Sequence, residues 1–199
     1  MTPRLSFAAL VLVAACVCPA LADDYVVDNS HTSVIFSVKH MNFSYTFGRF
    51  NKVEGKYTLD NAKPENSSFQ VVIHVDSIDT NNPQRDGHLK NADFFNAGEF
   101  PLITFKSSKV AAKTEGDKTI FEVTGDLTMH GVTKPVTVSM EKVGEGQGVG
   151  PMGYRSGFVF ATKLKRSDFG MTYGLDMVGD DVTVNISFEG VRQGAPTAQ

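Results

Sequence analysis

Apolar residues recur at every second position in eight segments of this chain. The segments are residues 34–38, 53–59, 69–75, 103–105, 121–129, 136–140, 158–164 and 182–188. The positions between the apolar residues are largely polar, as Gln70, Glu122 and Thr183 illustrate. A period of two with one apolar face is typical of antiparallel strands that bury one side. The pattern therefore predicts an all-β protein with eight strands.

Strands of this kind must close into a barrel or stack into a sandwich. We favour an extended, eight-stranded antiparallel barrel, because consecutive strands with short connections suit an up-and-down meander and closure removes unpaired edges. The interior of an eight-stranded barrel is wide enough for packed side chains or for one small ligand. The pattern alone leaves those two contents of the barrel open.

The longest connection, 76–101, is predicted to contain a short helix. Asn82 followed by Pro83 is typical of a helix start, with asparagine as the cap and proline at the first helical position. We expect the helix to cover residues 84–94. Such a helix would lie across one end of the barrel.

Two other connections are longer than a turn. Six glycines mark residues 144–157 and predict a flexible loop between the sixth and seventh strands. Residues 165–181 form the second long connection. By contrast, His130 and Gly131 separate two strands so closely that they predict a hairpin turn.

The N-terminal segment 1–22 is predicted to be a cleaved secretory signal peptide. Arg4 is the only charged residue before Asp23, and a largely apolar run over 5–18 follows it. The run is too short for a transmembrane helix, which needs about 20 apolar residues. An alternative is processing before Cys16, which would leave a lipid-modified N-terminus.

The remaining chain is interpreted as one domain, 23–192, followed by a flexible tail, 193–199. The sequence has only two cysteines, and both precede residue 23, so the domain is predicted to have no disulfide and no cysteine metal site. A chain of this length buries enough surface to fold without such links. The predicted signal peptide favours a periplasmic location.

Composition excludes several classes of protein. The 199 residues are 41 % hydrophobic and 21 % charged, which is typical of a globular protein rather than a disordered or coiled-coil chain. The net charge of −3 shows no excess of positive charge of the kind that binds phosphate groups, so nucleic acid is not an expected partner.

The residues that could carry chemistry do not form a recognisable catalytic motif. The five histidines lack the spacing of a helical zinc site, and the chain has neither a Gly-x-Ser-x-Gly elbow nor a phosphate-binding loop. We therefore expect no enzyme activity, no metal and no cofactor. The alternative is an enzyme that uses acid–base residues at the mouth of the barrel, namely His31, His40, His88, Asp86 and Asp168.

Several motifs, taken together and in order, resemble the YceI-like family, the polyisoprenoid-binding, lipocalin-like proteins of bacterial envelopes. The matching motifs are Asp28-Asn29-Ser30-His31, Val38-Lys39-His40, Gly48-Arg49-Phe50, Ser77-Ile78-Asp79-Thr80, Arg85-Asp86-Gly87-His88-Leu89-Lys90, Asp93-Phe94-Phe95, Phe100-Pro101-Leu102-Ile103-Thr104-Phe105, Gly125 to Val136, and Arg166-Ser167-Asp168-Phe169-Gly170-Met171. The resemblance extends from Tyr25 to Arg192. It implies a lipocalin-like barrel with a short helix and a long apolar cavity for a polyprenyl chain.

Aromatic and aliphatic side chains at inward positions are the candidate ligand-binding residues. On the strands, the alternation of positions predicts inward-facing side chains at Phe36, Val38, Tyr57, Phe69, Ile73, Phe105, Phe121, Phe158 and Phe160. The candidates in the long connections are Phe94, Phe95, Phe169, Met171 and Tyr173. Candidates for a polar head group at the mouth are His31, His40, Arg49, Arg85 and His88. An apolar interior with aromatic loops at its mouth is typical of a ligand cavity, although the same residues could simply pack together.

The resulting hypothesis is non-enzymatic binding or carriage of a long-chain isoprenoid lipid in the periplasm. The ligand would be a polyprenyl phosphate or the tail of a quinone. Contact with a membrane is expected to be transient, and a homodimer is compatible with the sequence. A stress-related or interaction protein with a solid core is the remaining alternative.

Overall fold

The computed structural model describes residues 22–194, which form a single antiparallel sheet of eleven strands. The strands are β1 (Asp23–Val27), β2 (Ser33–His40), β3 (Ser44–Phe50), β4 (Val53–Leu59), β5 (Ser68–His74), β6 (Ile78–Asp79), β7 (Leu102–Glu115), β8 (Lys118–Met129), β9 (Val132–Gln147), β10 (Tyr154–Lys165) and β11 (Val178–Arg192). Within the described residues there is one α-helix, α1 (Pro83–Leu89).

The eleven strands occupy eight positions around a closed barrel, because three pairs of strands lie end to end. β1 and β2 pair with successive parts of β11. β4 and β3 continue one another beside them, and β6 continues β5. The pairing of β11 with both β1 and β2 closes the ring. The predicted eight-stranded antiparallel barrel with a short helix is therefore confirmed.

The interruptions between β1 and β2 and between β3 and β4 are held together by one side chain. Asn29 lies in a short 3₁₀ turn that Asp28 caps. Its side-chain amide donates to the carbonyl of Asn51 (3.2 Å), and its side-chain oxygen accepts from the backbone N–H of Val53 (2.7 Å). The two breaks therefore lie side by side and the barrel wall stays continuous.

The helix is shorter than the sequence pattern predicts. Asn82 caps it through the backbone N–H of Arg85 (3.0 Å) and Pro83 occupies its first turn, as expected. It ends at Leu89 instead of residue 94, because the Leu89 carbonyl accepts from the backbone N–H of Phe95 (3.0 Å), a loop bond, and not from the residue that a continued helix would place there. Phe94 and Phe95 therefore lie in a compact loop after the helix.

The prediction of a flexible loop over residues 144–157 is wrong. β9 runs to Gln147 and β10 begins at Tyr154, so only residues 148–153 connect them. Gly144 and Gly157 pair with each other across the two strands. The glycines are tolerated because the ladder on both sides holds the extended backbone in place.

The predicted hairpin at His130 and Gly131 is confirmed. Both residues have positive φ angles, 52° and 73°, as in the tight turns that match strand twist. A Cβ atom at Gly131 would lie 2.6 Å from the ring of Phe100, so the turn also requires glycine for space.

Some predictions concern residues outside the described region. The signal-peptide cleavage after residue 22, the alternative at Cys16 and the end of the tail fall on residues 1–21 and 195–199. Among residues 22–194, no helix is long and apolar enough to cross a membrane.

Two groups of buried side chains fill the interior, one toward each end of the barrel. The lower cluster is Tyr25, Val27, Tyr57, Leu59, Phe69, Val110, Phe121, Val123, Met140, Phe158 and Phe188. The upper cluster is Val34, Phe36, Phe50, Val53, Val75, Ile78, Ile103, Met129, Phe169 and Met171. We call the corresponding ends of the barrel the lower and the upper end.

Candidate functional site

A cavity of about 220 Å³ occupies the barrel interior and is bounded by members of both clusters. Its wall consists of inward side chains from strands all around the barrel and from the covering loops. Of residues 22–194, only Thr32, Thr162 and Arg166 contribute polar side chains to that wall. Such a lining excludes charged or strongly hydrated ligand groups and accommodates hydrocarbon.

Nine of the predicted ligand-binding residues line this cavity. They are Phe36, Val38, Phe69, Ile73, Phe94, Phe95, Phe105, Phe160 and Met171. The strand residues among them alternate with outward positions, so strand parity identified them. Phe94, Phe95 and Met171 reach the cavity from the loops that cover the upper end.

Three of the predicted inward aromatics close the lower end instead of lining the cavity. Tyr57, Phe121 and Phe158 belong to the lower cluster and are absent from the cavity wall. Phe158 packs its ring edge against Tyr57, at 5.8 Å between ring centres, and against Phe121, at 5.7 Å. Tyr25 stacks on Tyr57 at 4.9 Å. These rings form an aromatic plug below the cavity.

The hydroxyl groups of the plug face a buried polar network at the lower rim. The Tyr57 hydroxyl lies 2.7 Å from the Ser156 hydroxyl, and burial raises the pKa of Tyr57 well above its usual range. Tyr25 donates to Glu145 at 2.6 Å, and burial raises its pKa as well. Burial alone would raise the pKa of Glu145, but hydrogen bonds from Lys142 and Tyr25 lower it overall. The plug is therefore held by polar contacts at its outer end.

The upper end is covered by loops that are anchored on a buried arginine. Arg166 is 5 % exposed and lines the cavity. Its guanidinium donates to the carbonyls of Gly179 (3.0 Å), Met171 (2.8 Å), Tyr173 (2.9 Å) and Val178 (2.7 Å). Burial lowers its pKa, and Asp180 opposes that shift. These N–H groups hold the loop backbone, which makes Arg166 a structural anchor.

Phe169 and Tyr173, also predicted to bind ligand, lie in the same covering loop but outside the cavity wall. Phe169 is buried in the upper cluster. Its carbonyl accepts from the ring of His130 at 2.9 Å, which connects the loop to the β8–β9 hairpin. Tyr173 is half-exposed and packs against the rings of His88 (5.6 Å) and Phe94 (5.5 Å).

The structure does not bring the predicted head-group residues together. His31 contacts Asp28 at 2.8 Å beside Arg155, and hydrogen bonds from Ser30, His31 and Arg155 hold the pKa of Asp28 well below its usual range. His88 contacts Asp93 at 2.9 Å near the helix. His40 and Arg49 are exposed on the β2–β3 hairpin, and Arg85 donates to the Thr80 hydroxyl at 2.8 Å.

These positions give no convergent catalytic or metal-binding group. The His31–Asp28 and His88–Asp93 pairs are solvent-exposed at different places on the surface. In residues 22–194 no three His, Cys, Asp or Glu side chains are grouped so that they could hold a metal ion.

Cavity residues that the sequence interpretation omitted are mostly aliphatic. They include Val136, Val138, Thr162, Leu164, Val182, Val184 and Ile186. All lie at inward positions of predicted strands, so the period-two pattern contained the signal. The predicted set consists mainly of aromatic residues and therefore lacks these aliphatic positions.

Comparison with known proteins places this geometry in a wider group. A family model described as a YceI-like domain matches residues 25–190. A UPF0312 protein of Shewanella denitrificans is 42 % identical over 175 residues, which cover 86 % of this chain and 89 % of that protein.

Solved structures show the same fold. The crystal structure of Burkholderia cenocepacia BcnA is similar with a TM-score of 0.72 and 28 % identity, covering 82 % of this chain and 98 % of that one. A polyisoprenoid binding domain from Saccharophagus degradans, implicated in plant cell wall breakdown, has a TM-score of 0.66 and 15 % identity, covering 85 % of this chain and 98 % of that one. The second likeness concerns the fold alone.

Proposed function

Because the chain belongs to the YceI-like domain family, we propose that it binds the apolar tail of an isoprenoid lipid inside its barrel. The observation that carries this proposal is the cavity itself, whose wall is apolar except for Thr32, Thr162 and Arg166. The polyisoprenoid binding domain with the same fold supports the choice of ligand.

Hydrocarbon burial supplies the free energy of binding. Each methylene that moves from water into the cavity contributes about 0.8 kcal/mol. Association and ordering of a flexible chain cost about 4–15 kcal/mol. A tail of several isoprene units exceeds that cost and a short tail does not. We therefore expect selection by chain length and apolarity.

We also propose that the protein acts without catalysing a reaction, as a binder or carrier in the bacterial periplasm. Among the described residues, the cavity wall contains no carboxylate or histidine, and its one charged group, Arg166, is engaged with backbone carbonyls. The predicted leader over residues 1–22 supports export. Long-chain prenyl phosphates and quinones are the candidate cargo.

The direct test is organic extraction of the protein purified from its native host, followed by mass spectrometry. We expect a lipid with an isoprenoid tail in the extract, and uptake of a polyprenyl phosphate or a quinone by the emptied protein. Protein that is purified empty and takes up neither compound would refute the proposal.

A pair of charge substitutions sharpens this test. Phe160→Asp places a carboxylate in the cavity wall and is expected to abolish lipid uptake or to destabilise the fold. Val26→Asp introduces the same charge on β1, where Val26 is 46 % exposed and lies outside the cavity wall, and serves as the matched control. Thermal unfolding and uptake are measured for both variants, and equal uptake by the two would show that the interior is not the binding site.

A further inference from the structure

Within the described residues, the barrel wall has no backbone ladder along one side, between the upper halves of β9 and β10. The ladder between these strands runs from Tyr154↔Gln147 to Val159↔Glu141. Above that point, within the described residues, Phe160–Lys165 pair only with β11 and Val132–Met140 pair only with β8. We call this unpaired stretch the window. Six residues of β10 border it, which makes it roughly 20 Å long at about 3.3 Å per residue.

The window is bounded above and below by contacts that keep its position fixed. Below it, the register shifts between Gly157 and Phe158, a bulge that bends the strand pair apart. Above it, the hydrogen bond from His130 to the carbonyl of Phe169 joins the β8–β9 hairpin to the loop after β10. The window therefore lies between the paired part of β9 and β10 and this hydrogen bond.

The sequence of β9 is suited to an unpaired edge. Pro135 lies in the part of β9 that borders the window and is exposed. Proline has no N–H for a second ladder, and within sheets it is confined to edges and bulges. Lys163, which borders the window on β10, is charged and exposed, and lysine is common on strand edges that stay unpaired. The window is therefore a property of the sequence.

Side chains at the window separate the cavity from a groove on the outside of the barrel. If the register of the pair Val159↔Glu141 is continued upward along both strands, Thr162 lies opposite Val138. Both of these side chains line the cavity. Ser139 and Ala161, the next residues on each side, line the outer groove. Phe160 lines both.

Both ends of the barrel are closed, unlike its side. The aromatic plug fills the lower end, where Phe121 and Phe158 are each 1 % exposed. Phe169 and Met171 fill the upper end at 2 % and 4 %. The window is thus the opening in the described wall through which the cavity adjoins an outer groove.

We propose that the lipid enters through the window and stays there, with its tail in the cavity and its polar end in the outer groove. This inference rests on the proposed function. A cavity of about 220 Å³ is smaller than the roughly 300–1,000 Å³ typical of ligand pockets, so part of a long ligand must lie outside it.

The outer groove suits a polar end without net charge. Its wall includes Ser33, Ser139, Asn185 and Ser187, which donate and accept hydrogen bonds. Its charged groups are neutralised, since Glu141 contacts Lys118 at 2.8 Å and Lys113 contacts Glu115 at 2.8 Å. A phosphate would meet two carboxylates there without a free cation. An alcohol or a carbonyl-bearing ring is the better fit.

Reversible cross-linking of the window tests the route. Ser139→Cys and Ala161→Cys are introduced together into the full chain with Cys16 and Cys18 replaced by serine, and a short bifunctional methanethiosulfonate joins the two thiols. We expect uptake of radiolabelled geranylgeraniol from phosphatidylcholine vesicles to slow about tenfold or more and to recover when a reductant cleaves the tether.

The matched control carries the same tether between two strands that are already paired and lie away from the window and the groove, using Lys106→Cys on β7 and Asp126→Cys on β8. The control tether should leave uptake unchanged. Uptake that stays fast with the window tethered would refute entry through the window. Entry through the window is also refuted if uptake slows instead when His88→Cys and Tyr173→Cys are tethered over the upper end. If even the untethered proteins take up no lipid, the proposed function is refuted, and entry through the window is refuted with it.

Two further readouts locate the polar end of the ligand. A geranylgeranyl lipid with a diazirine at its polar end should label peptides that contain Ser139 or Asn185, whereas labelling near Phe94 or Arg166 would overturn the placement. Geranylgeraniol should also compete for uptake better than geranylgeranyl phosphate. Stronger competition by the phosphate would contradict an uncharged polar end.

Discussion

The two ends of this barrel are closed by different means. At the lower end, Tyr57, Phe69 and Phe158 pack ring against ring, and the outer hydroxyl groups reach side chains of the rim. At the upper end, loops lie across the opening, and Arg166 holds them through their backbone carbonyls. One end is an extension of the core, while the other is a cover tied down by a single side chain.

This difference indicates which parts of the molecule are rigid. Aromatic packing is distributed over many contacts, so the lower end resists opening unless the whole core loosens. The upper cover depends on hydrogen bonds that converge on Arg166. Local opening is easier where stability comes from few groups. Between the two ends, the wall at the window has no ladder that must be broken for a ligand to pass.

The largest expected effect compares two phenylalanines on the same strand. Phe158 is buried in the plug, so Phe158→Ala should lower the free energy of unfolding by about 3–5 kcal/mol. Phe160 faces an existing cavity, so Phe160→Ala should cost less, about 1–2 kcal/mol, because it creates little new void. Urea unfolding of both variants measures the difference. Equal losses would show that the interior is uniformly packed.

The next effect concerns the anchor of the upper cover. Arg166→Met removes the donors for four carbonyls and should lower the free energy of unfolding by about 3 kcal/mol. Amide exchange over residues 170–179 should rise more than exchange in the lower cluster. Arg166→Lys is the control for charge, since one ammonium cannot reach all four carbonyls. Unchanged exchange in Arg166→Met would contradict the anchoring role.

The smallest effect depends on pH and involves Asp28. Hydrogen bonds from Ser30, His31 and Arg155 hold its pKa below the ordinary value of 3.8. A lowered carboxyl pKa stabilises the fold above that ordinary value, and the stabilisation is lost as the pH falls through the folded-state pKa. Asp28→Asn should therefore lower the free energy of unfolding by about 1 kcal/mol at pH 7.

The same substitution should flatten the pH dependence of stability below about pH 4, where wild-type protein loses this contribution. Urea unfolding between pH 2.5 and pH 7 compares the two proteins. Parallel curves for Asp28→Asn and wild type would show that Asp28 does not carry the effect.

Strand parity predicts which face a residue occupies but not its height along the barrel. Phe158 and Phe160 have the same parity and similar neighbours in the sequence, yet one fills the plug and the other lines the cavity. Height follows from how the eight strand positions are staggered. That stagger depends on long-range pairing, which a local pattern does not encode.

β3 was not predicted because its large aromatic residues lie on the outer face of the barrel and a glycine lies on the inner face. Tyr45 and Phe47 point outward and are 60 % and 63 % exposed, while Gly48 points inward. A Cβ atom at Gly48 would lie 2.3 Å from the ring of Phe36, which occupies that space. By contrast, Pro135 indicates the unpaired edge in the sequence itself, because proline disfavours a strand that is paired on both sides.

The ring closes by bringing Tyr25 beside Arg192, the most distant parts of the domain. The ladder between β2 and β11 spans a similar sequence separation, because Val34 lies beside Ile186. Linking the two termini and cutting the chain at residues 148–153 would bring the segments of both ladders close together in sequence. The cost of closing a long loop would then fall on the pairing of β9 with β10.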